Sequence, residues 1–224
     1  MTHEQPEEAR FRRALLTSPG ERQDVDYKAS VAFAADDEFA LKLIKHIQGM
    51  ANNGGGWIII GYDDKTLTPD GNHSADVAAS YDPTILADAV NSTVERGQQI
   101  RLTVHQEQHP ASGLPHPMIQ VDGFERVPFV CRTNRAAADT GAQVLQQGKV
   151  YIRRPGAATS EVTTSHDWAE LIDRCVQQRR DDFLIEFQDL FNRMTSSART
   201  APSRAAAGFY DWVDEVRRRA QEQG

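Results

Sequence analysis

The fold is decided by residues 45–64, which read KHIQGMANNGGGWIIIGYDD. A helical pattern of apolar residues begins near Glu38 and runs into this stretch as far as Ala51. The run Asn52–Gly56 is typical of a helix end followed by a turn. The continuously apolar run Trp57–Tyr62 predicts a strand that is covered on both faces. The stretch therefore predicts a helix, a glycine turn and a central strand as one unit.

The flanking sequence adds further elements to this unit. Alternation over Asp24–Lys28 predicts a first strand, and Glu7–Leu16 predicts a short helix before it. A second amphipathic helix is predicted around residues 85–94, and residues 134–148 form a polar connection that we expect to be mobile. Further strands are predicted at residues 100–106, 117–121, 127–132 and 149–154. The fold class is therefore α/β (α+β), with a mixed central sheet flanked by helices.

The order of these elements predicts three regions. Residues 1–19 form an N-terminal helix, residues 20–163 form the α/β domain, and residues 164–224 form a C-terminal helical extension. Thr164 or Ser165 can cap the first helix of the extension, and a final amphipathic helix is predicted near residues 209–216. These helices are candidates for assembly with a second copy or with a partner protein.

Composition limits the class of protein. No run approaches the roughly 20 apolar residues that a membrane span needs, and the N-terminus lacks the apolar core of a secretory signal. We therefore expect a cytoplasmic protein with no membrane partner. Two cysteines, Cys131 and Cys175, support neither a disulfide framework nor a cysteine zinc site.

The charge pattern points to a local anion-binding surface. The formal net charge is −7, which argues against a protein that coats nucleic acid over its whole surface. Residues 99–162, however, contain 7 basic and 5 acidic residues. Phosphate contacts depend on lysine and arginine at the site. The candidates for nucleic-acid contacts are Arg132, Arg135, Lys149, Arg153 and Arg154.

Carboxylates at two places could form one cation site. Asp26 and Lys28 face the same side of the first strand, and Glu21 precedes them. Asp63 and Asp64 follow the Trp57–Tyr62 strand, and one of them can approach Asp26 if the two strands are neighbours. Such carboxylates would hold Mg²⁺ or Mn²⁺, which prefer oxygen ligands. The alternative is that these are scattered carboxylates of an acidic protein with no shared site.

The glycine run is not a phosphate-binding loop. A P-loop follows a strand and precedes a helix, whereas here a helix precedes the glycines and a strand follows them. The helix end would present carbonyl groups to a ligand rather than N–H groups. A structural turn is the preferred interpretation of residues 54–56.

Several motifs, in order, resemble the signature of Schlafen AlbA-like domains. They are Glu21 followed by Asp26-Tyr27-Lys28, the stretch 45–64, and Val150–Gly156. In that family an acidic-aromatic-Lys strand precedes a helix ending in Ala-x-Asn-x-x-Gly-Gly, then an apolar strand ending in Gly-x-Asp-Asp. A later strand carries Tyr-x-Arg. The resemblance covers roughly residues 20–172.

The resemblance implies an α/β domain that binds nucleic acid and that often carries an ATP-binding label. In the Schlafen proteins themselves, three carboxylates of this domain cleave structured RNA such as tRNA. By position these would be Glu21, Asp26 and one of Asp63 or Asp64, with Lys28 beside them as a charge stabiliser. Asp26 stands where the family usually has Glu, so its reach is one methylene shorter. Vertebrate Schlafen nucleases pair two such lobes, so a full clamp around RNA would require a homodimer.

Two functional hypotheses follow. The first is a nucleic-acid-binding module, RNA or DNA, that acts as a divalent-metal-dependent endoribonuclease. The second is a non-catalytic nucleic-acid- or nucleotide-binding regulatory module that assembles through its C-terminal helices. Clustered carboxylates beside a basic groove would favour the first hypothesis, and separated or salt-bridged carboxylates would favour the second.

Overall fold

The computed structural model describes residues 6–63, 65–154 and 158–198. The chain divides into two compact units, Met1–Cys175 and Val176–Gly224. The first unit contains the sheet and all of the residues discussed below. Within the second unit, the helix predicted near residues 209–216 lies outside the described residues.

The N-terminal part of the first unit is mainly helical, and most of its strands follow α4. The helices are α1 (Pro6–Thr17), α2 (Glu38–Ala51), α3 (Ala75–Ala79), α4 (Pro83–Asn91) and α5 (Ser165–Ala198), the last of which continues into the second unit. The strands are β1 (Val25–Lys28), β2 (Gly55–Ile60), β3 (Leu102–Gln108), β4 (Pro115–Asp122), β5 (Arg135–Ala136), β6 (Gln143–Leu145), β7 (Tyr151–Arg153) and β8 (Thr159–Glu161).

A mixed four-stranded sheet lies at the centre, in the order β1-β2-β4-β3. β1 runs parallel to β2, with Asp26 opposite Ile58 and Lys28 opposite Ile60. The other two pairs are antiparallel. Two small antiparallel pairs, β5-β6 and β7-β8, complete the strands. The predicted α/β class and mixed sheet are confirmed.

The sheet carries a hydrophobic core on each face. One face, including Ile58 and Ile60, packs with α2 in the larger core. The other face, including Tyr27 and Ile59, packs against the end of α1. The hydroxyl groups of Tyr27 and Tyr62 donate hydrogen bonds to the carbonyls of Leu15 and Leu16. Because side chains alternate along a strand, Asp26 and Lys28 lie on the α2 side.

The glycine run ends the helix and also begins the central strand. A Cβ on Gly56 would lie 2.3 Å from the Asp24 carbonyl oxygen, and one on Gly55 would lie 2.5 Å from that of Val121. Both glycines also have positive φ, where other residues are strained. The predicted turn was therefore too long. Gly55 and Gly56 are strand residues, and their lack of a side chain allows the backbone at Val121 and Asp24 to lie close to them.

Asn52 and Asn53 hold the end of α2 against the rest of the unit. The buried Asn52 amide donates to the carbonyls of Phe129 and Tyr151 and accepts from the Phe129 N–H. Asn53 exchanges two hydrogen bonds with the backbone of Arg153. The asparagines of the motif are thus structural clamps for β7 and for the segment before β5.

Three local predictions were wrong. Residues 127–132 form no ladder: the Cys131 backbone bonds to both Lys149 and Gly148, and its one strand-like pairing is an isolated bridge to Val94. The connection 134–148 contains β5 and β6, because Val144 and Leu145 are buried in the core. The amphipathic helix predicted around residues 85–94 would place Ile85 on its apolar face, but that side chain is 56% exposed.

No helix among the described residues has the length and apolar content to cross a membrane.

Candidate functional site

A buried carboxylate lies at the centre of a polar cluster in the first unit. The Asp26 side chain is 1% exposed, and the Lys28 ammonium lies 3.0 Å from each of its two oxygens. Burial of a charge is expensive unless it is paired. We use the name Asp26 cluster for Asp26, Lys28, His46, Arg153 and Thr159.

Arg153 reaches the same carboxylate from β7. Its side chain is 0% exposed, and Nη1 lies 3.1 Å from Asp26 Oδ2. The Nε and Nη2 groups of Arg153 are buried and have no hydrogen-bond partner among the described residues. The sequence prediction treated Arg153 as a phosphate contact, whereas the structure buries it as the partner of Asp26.

His46 approaches the cluster from α2. Its Nδ1 lies 3.1 Å from Arg153 Nη1 and 3.0 Å from Thr159 Oγ1, and 3.6 Å from Asp26 Oδ2. Thr159 can come this close because residue 49 of α2 is glycine, where a Cβ would lie 2.7 Å from Thr159 Cγ2. The glycine in the helix interior is thus explained by the packing of β8.

Electrostatics keep His46 neutral. Burial, followed by the positive charge of Lys28, lowers the pKa of His46 to about 4, although the Asp26 carboxylate opposes the change. Arg153 and Lys45 also lower this pKa. Lys28 and Lys45 are therefore the two lysines close enough to act on His46.

Glu21 is the second carboxylate of the neighbourhood. Burial raises the pKa of Glu21. Repulsion by the Asp26 charge and a hydrogen bond with Asp26 raise it further, whereas the positive charges of Lys28 and Arg153 lower it. The structure therefore brings Glu21, Asp26 and Lys28 together, as the sequence predicted.

The structure places Asp63 apart from Asp26. Asp63 Oδ1 accepts hydrogen bonds from the Lys65 N–H and from the N–H and hydroxyl of Thr66, and these contacts lower its pKa. It lies three residues beyond Ile60, the partner of Lys28. Its hydrogen-bond partners all lie in the turn after β2, whereas the Asp26 carboxylate is paired with Lys28 and Arg153. Asp64 lies outside the described residues.

The described donor set does not by itself fit Mg²⁺ or Mn²⁺. Only Glu21 and Asp26 are brought together among the predicted ligands described, and both Asp26 oxygens already face cations. Within the part of the chain that the structure describes, no group of three or more His, Cys, Asp or Glu side chains is arranged to hold a metal ion.

The other predicted phosphate contacts are engaged at the surface. Arg132 donates to the Ser92 carbonyl, Arg135 pairs with Asp36, Lys149 pairs with Glu161 at 2.8 Å, and Arg154 forms two hydrogen bonds with Asp167. Lys45 lies 4.8 Å from the centre of the Tyr151 ring. Lys149, Lys45 and Lys28 thus supply partly exposed positive charge around α2 and β7. Nucleic-acid binding by these residues stays a prediction.

Sequence reasoning missed His46 and Thr159. His46 lies within the stretch 45–64, but the sequence analysis assigned it no role. Its signal was weak, because the residues that give it a role, Arg153 and Thr159, follow it by 107 and 113 positions. Pairing over such distances depends on how β7 and β8 pack on α2.

Comparison with known proteins places the chain in a recognised group. Residues 21–159 match the family model described as Schlafen, AlbA_2. Among solved structures, the DIP2311 protein from Corynebacterium diphtheriae is similar, with 16% sequence identity and a TM-score of 0.43. That match covers 70% of this chain and 26% of the other, so this chain spans about a quarter of the other protein's length. No curated protein matches the chain at a significant level.

Proposed function

Because the chain belongs to the Schlafen AlbA_2 family, we propose that it is a nucleic-acid-binding module in which the Asp26 cluster forms part of the binding site. The family suggests a nucleic-acid-related function. The observation that carries the proposal for this site is the buried Asp26 carboxylate, held by Lys28 and Arg153 beside Glu21. Burial and Asp26 raise the pKa of Glu21, and carboxyl groups with a pKa shifted in this way concentrate at functional sites.

Positive charge near the cluster supports phosphate binding. Lys28 is 18% exposed at the edge of the cluster, and Lys45 lies on the next element. In a chain with net charge −7, such a local group can attract a polyanion that the remaining surface repels. The Asp26 and Glu21 carboxylates beside Lys28 would restrict where a phosphate group can lie.

The pairing of Asp26 favours binding without cleavage. Lys28 and Arg153 already neutralise Asp26, and Asp63 is held in a separate turn. In this proposal, the cluster fixes Lys28 at the surface by holding its ammonium group against Asp26. Arg153 contributes by holding Asp26 in place.

A second candidate is a divalent-metal-dependent ribonuclease acting on structured RNA. The proximity of Glu21 to Asp26, with Lys28 adjacent, favours it. Glu21, Asp26 and Asp64 would then be the ligands of Mg²⁺ or Mn²⁺, and the ion would supply polarisation of a phosphodiester. This candidate requires that Asp26 be released from at least one of its two cations.

Assembly through the C-terminal helices remains part of the proposal. On α5, Trp168 and Ile172 are 46% and 56% exposed and lie one helical turn apart. An apolar pair of this kind on a helix surface fits contact with a second copy or with a partner protein. A homodimer would place two binding sites on one nucleic acid.

Incubation with nucleic acid separates the two candidates. Purified protein is mixed with tRNA, single-stranded DNA and double-stranded DNA, with Mg²⁺, Mn²⁺ or chelator, and both binding and cleavage are followed. Binding that resists chelator, without cleavage, supports the first candidate. Cleavage that needs metal and is lost in Glu21→Gln and Asp26→Asn supports the second. Absence of binding to all three nucleic acids contradicts the proposed function.

A further inference from the structure

The protonated nitrogen of His46 can be assigned from its neighbours. Arg153 Nη1 lies 3.1 Å from His46 Nδ1, and an arginine nitrogen can only donate a hydrogen bond. Nδ1 must therefore be the acceptor. A proton on Nδ1 would place two N–H groups against each other at that distance. The proton of the neutral ring consequently lies on Nε2.

Arg153 also explains why His46 Nδ1 and the Asp26 carboxylate can lie only 3.6 Å apart. Both atoms are acceptors in this arrangement. Arg153 Nη1 lies 3.1 Å from each of them and carries two hydrogens, one for each acceptor. Thr159 Oγ1 lies 3.0 Å from Nδ1 and can donate to the same atom. The ring orientation is thus fixed from the protein side.

The Nε2–H edge of His46 is the unused part of the ring. Among the described residues it has no hydrogen-bond partner, and it is not among the buried unpaired groups. The side chain is 22% exposed. Lys28 and Lys45 lie near enough to act on the ring charge. An oriented N–H donor with two lysines in its neighbourhood is suited to an anionic oxygen.

Resting on the proposed function, we propose that His46 binds a phosphate oxygen of the nucleic-acid backbone through Nε2–H. Arg153 and Thr159 are its positioning residues. The sequence-independent character of phosphate contacts implies that this contact serves RNA and DNA alike.

Two substitutions of His46 distinguish this role from a structural one. In His46→Gln the side-chain amide can place a donor near the position of Nε2, but no acceptor remains at the position of Nδ1 for Arg153 and Thr159. In His46→Asn the amide oxygen can replace Nδ1 as acceptor for Arg153 and Thr159, but the outer donor is lost. The proposal expects affinity for tRNA to fall about tenfold in His46→Asn, as for one lost hydrogen bond to a charged group, and to be largely kept in His46→Gln. A purely structural histidine would give the reverse order.

The tautomer of the free protein is tested separately by NMR of ¹⁵N-labelled histidine near neutral pH. Neutral His46 with its proton on Nε2, whose resonance moves when tRNA is added, is expected. A proton on Nδ1, or equal affinities of the wild type and His46→Asn, would overturn this inference while leaving the proposed function standing. Failure of the wild type to bind tRNA and DNA would overturn both.

Discussion

Arg153 Nη1 lies 3.1 Å from Asp26 Oδ2, and this pair joins β7 to β1 across 127 positions of the chain. Both side chains are buried, with exposures of 0% and 1%. The pair therefore connects the strand that carries Lys28 to the strand clamped by Asn53. The proposed function couples stability to binding at this contact, because the same carboxylate also holds the partly buried Lys28.

Removal of the Asp26 carboxylate should destabilise the fold strongly. Asp26→Ala leaves the Arg153 guanidinium buried without its charge partner, and breaking a buried pair in this way costs about 3–5 kcal/mol. The measurement is the free energy of unfolding in urea. Asp24→Ala is the matched control, since Asp24 pairs with Arg22 at the surface and should lose less than about 1 kcal/mol. Equal losses in the two variants would show that the buried pair has no special role.

Asn52→Ala should weaken the attachment of α2 to the segments around Phe129 and Tyr151. The variant loses three buried hydrogen bonds and leaves backbone groups unpaired, which we expect to lower the free energy of unfolding by about 3 kcal/mol. Asn72→Ala, at an exposed side chain, should change it little. A small change in the free energy of unfolding for Asn52→Ala would mean that water molecules replace these three hydrogen bonds.

Three glycine substitutions should separate steric overlap from backbone strain. Gly20 has open space around it and an ordinary φ, so Gly20→Ala should leave the free energy of unfolding unchanged. Gly54 also has open space but a φ of +100°, so Gly54→Ala should lower the free energy of unfolding by about 1–2 kcal/mol. Gly56→Ala should cost more than either, because the added Cβ would lie 2.3 Å from a backbone oxygen. Thermal unfolding of the three variants gives the order. Tolerance of alanine at Gly56 would contradict the close approach of Asp24.

Acid should destabilise the protein through His116. Burial, the main cause, lowers the pKa of His116 to about 4, and the nearby His73 and His109 lower it as well. The unfolded chain, with a histidine pKa near 6.5, then binds more protons than the folded chain between pH 6.5 and 4. The stability that neutral His116 contributes is present above pH 6.5 and is lost as the pH falls through this window.

The measurement is the free energy of unfolding as a function of pH in wild type and His116→Asn. An asparagine amide can still donate to the Ile60 carbonyl that His116 Nδ1 contacts, but it does not titrate. The variant should therefore show a shallower decline below pH 6.5. Part of the decline should remain, because burial and Lys28 lower the pKa of His46 to about 4 as well. Identical slopes would exclude His116 as a cause.

Local patterns predicted the parts of the fold and site that depend on neighbouring residues. The α2–β2 unit followed from helical spacing up to Ala51 and the apolar run after it, and the shared side of Asp26 and Lys28 followed from strand alternation. Which of Asp63 and Asp64 approaches Asp26 could not be predicted locally, because β2 ends at Ile60 and the chain then turns, with Gly61 at φ +100°. Arg153 could be identified from the sequence, but its burial depends on a long-range pair.

The central claim is tested most directly by fluorescence anisotropy of labelled tRNA with Lys28→Met and Lys65→Met. Both variants lose one positive charge, but only Lys28 belongs to the Asp26 cluster, whereas Lys65 is exposed in the turn after β2. The account predicts that Lys28→Met weakens binding about tenfold and reduces the salt dependence by about one phosphate contact, with Lys65→Met close to wild type. Equal affinities of the two folded variants would contradict binding at the Asp26 cluster.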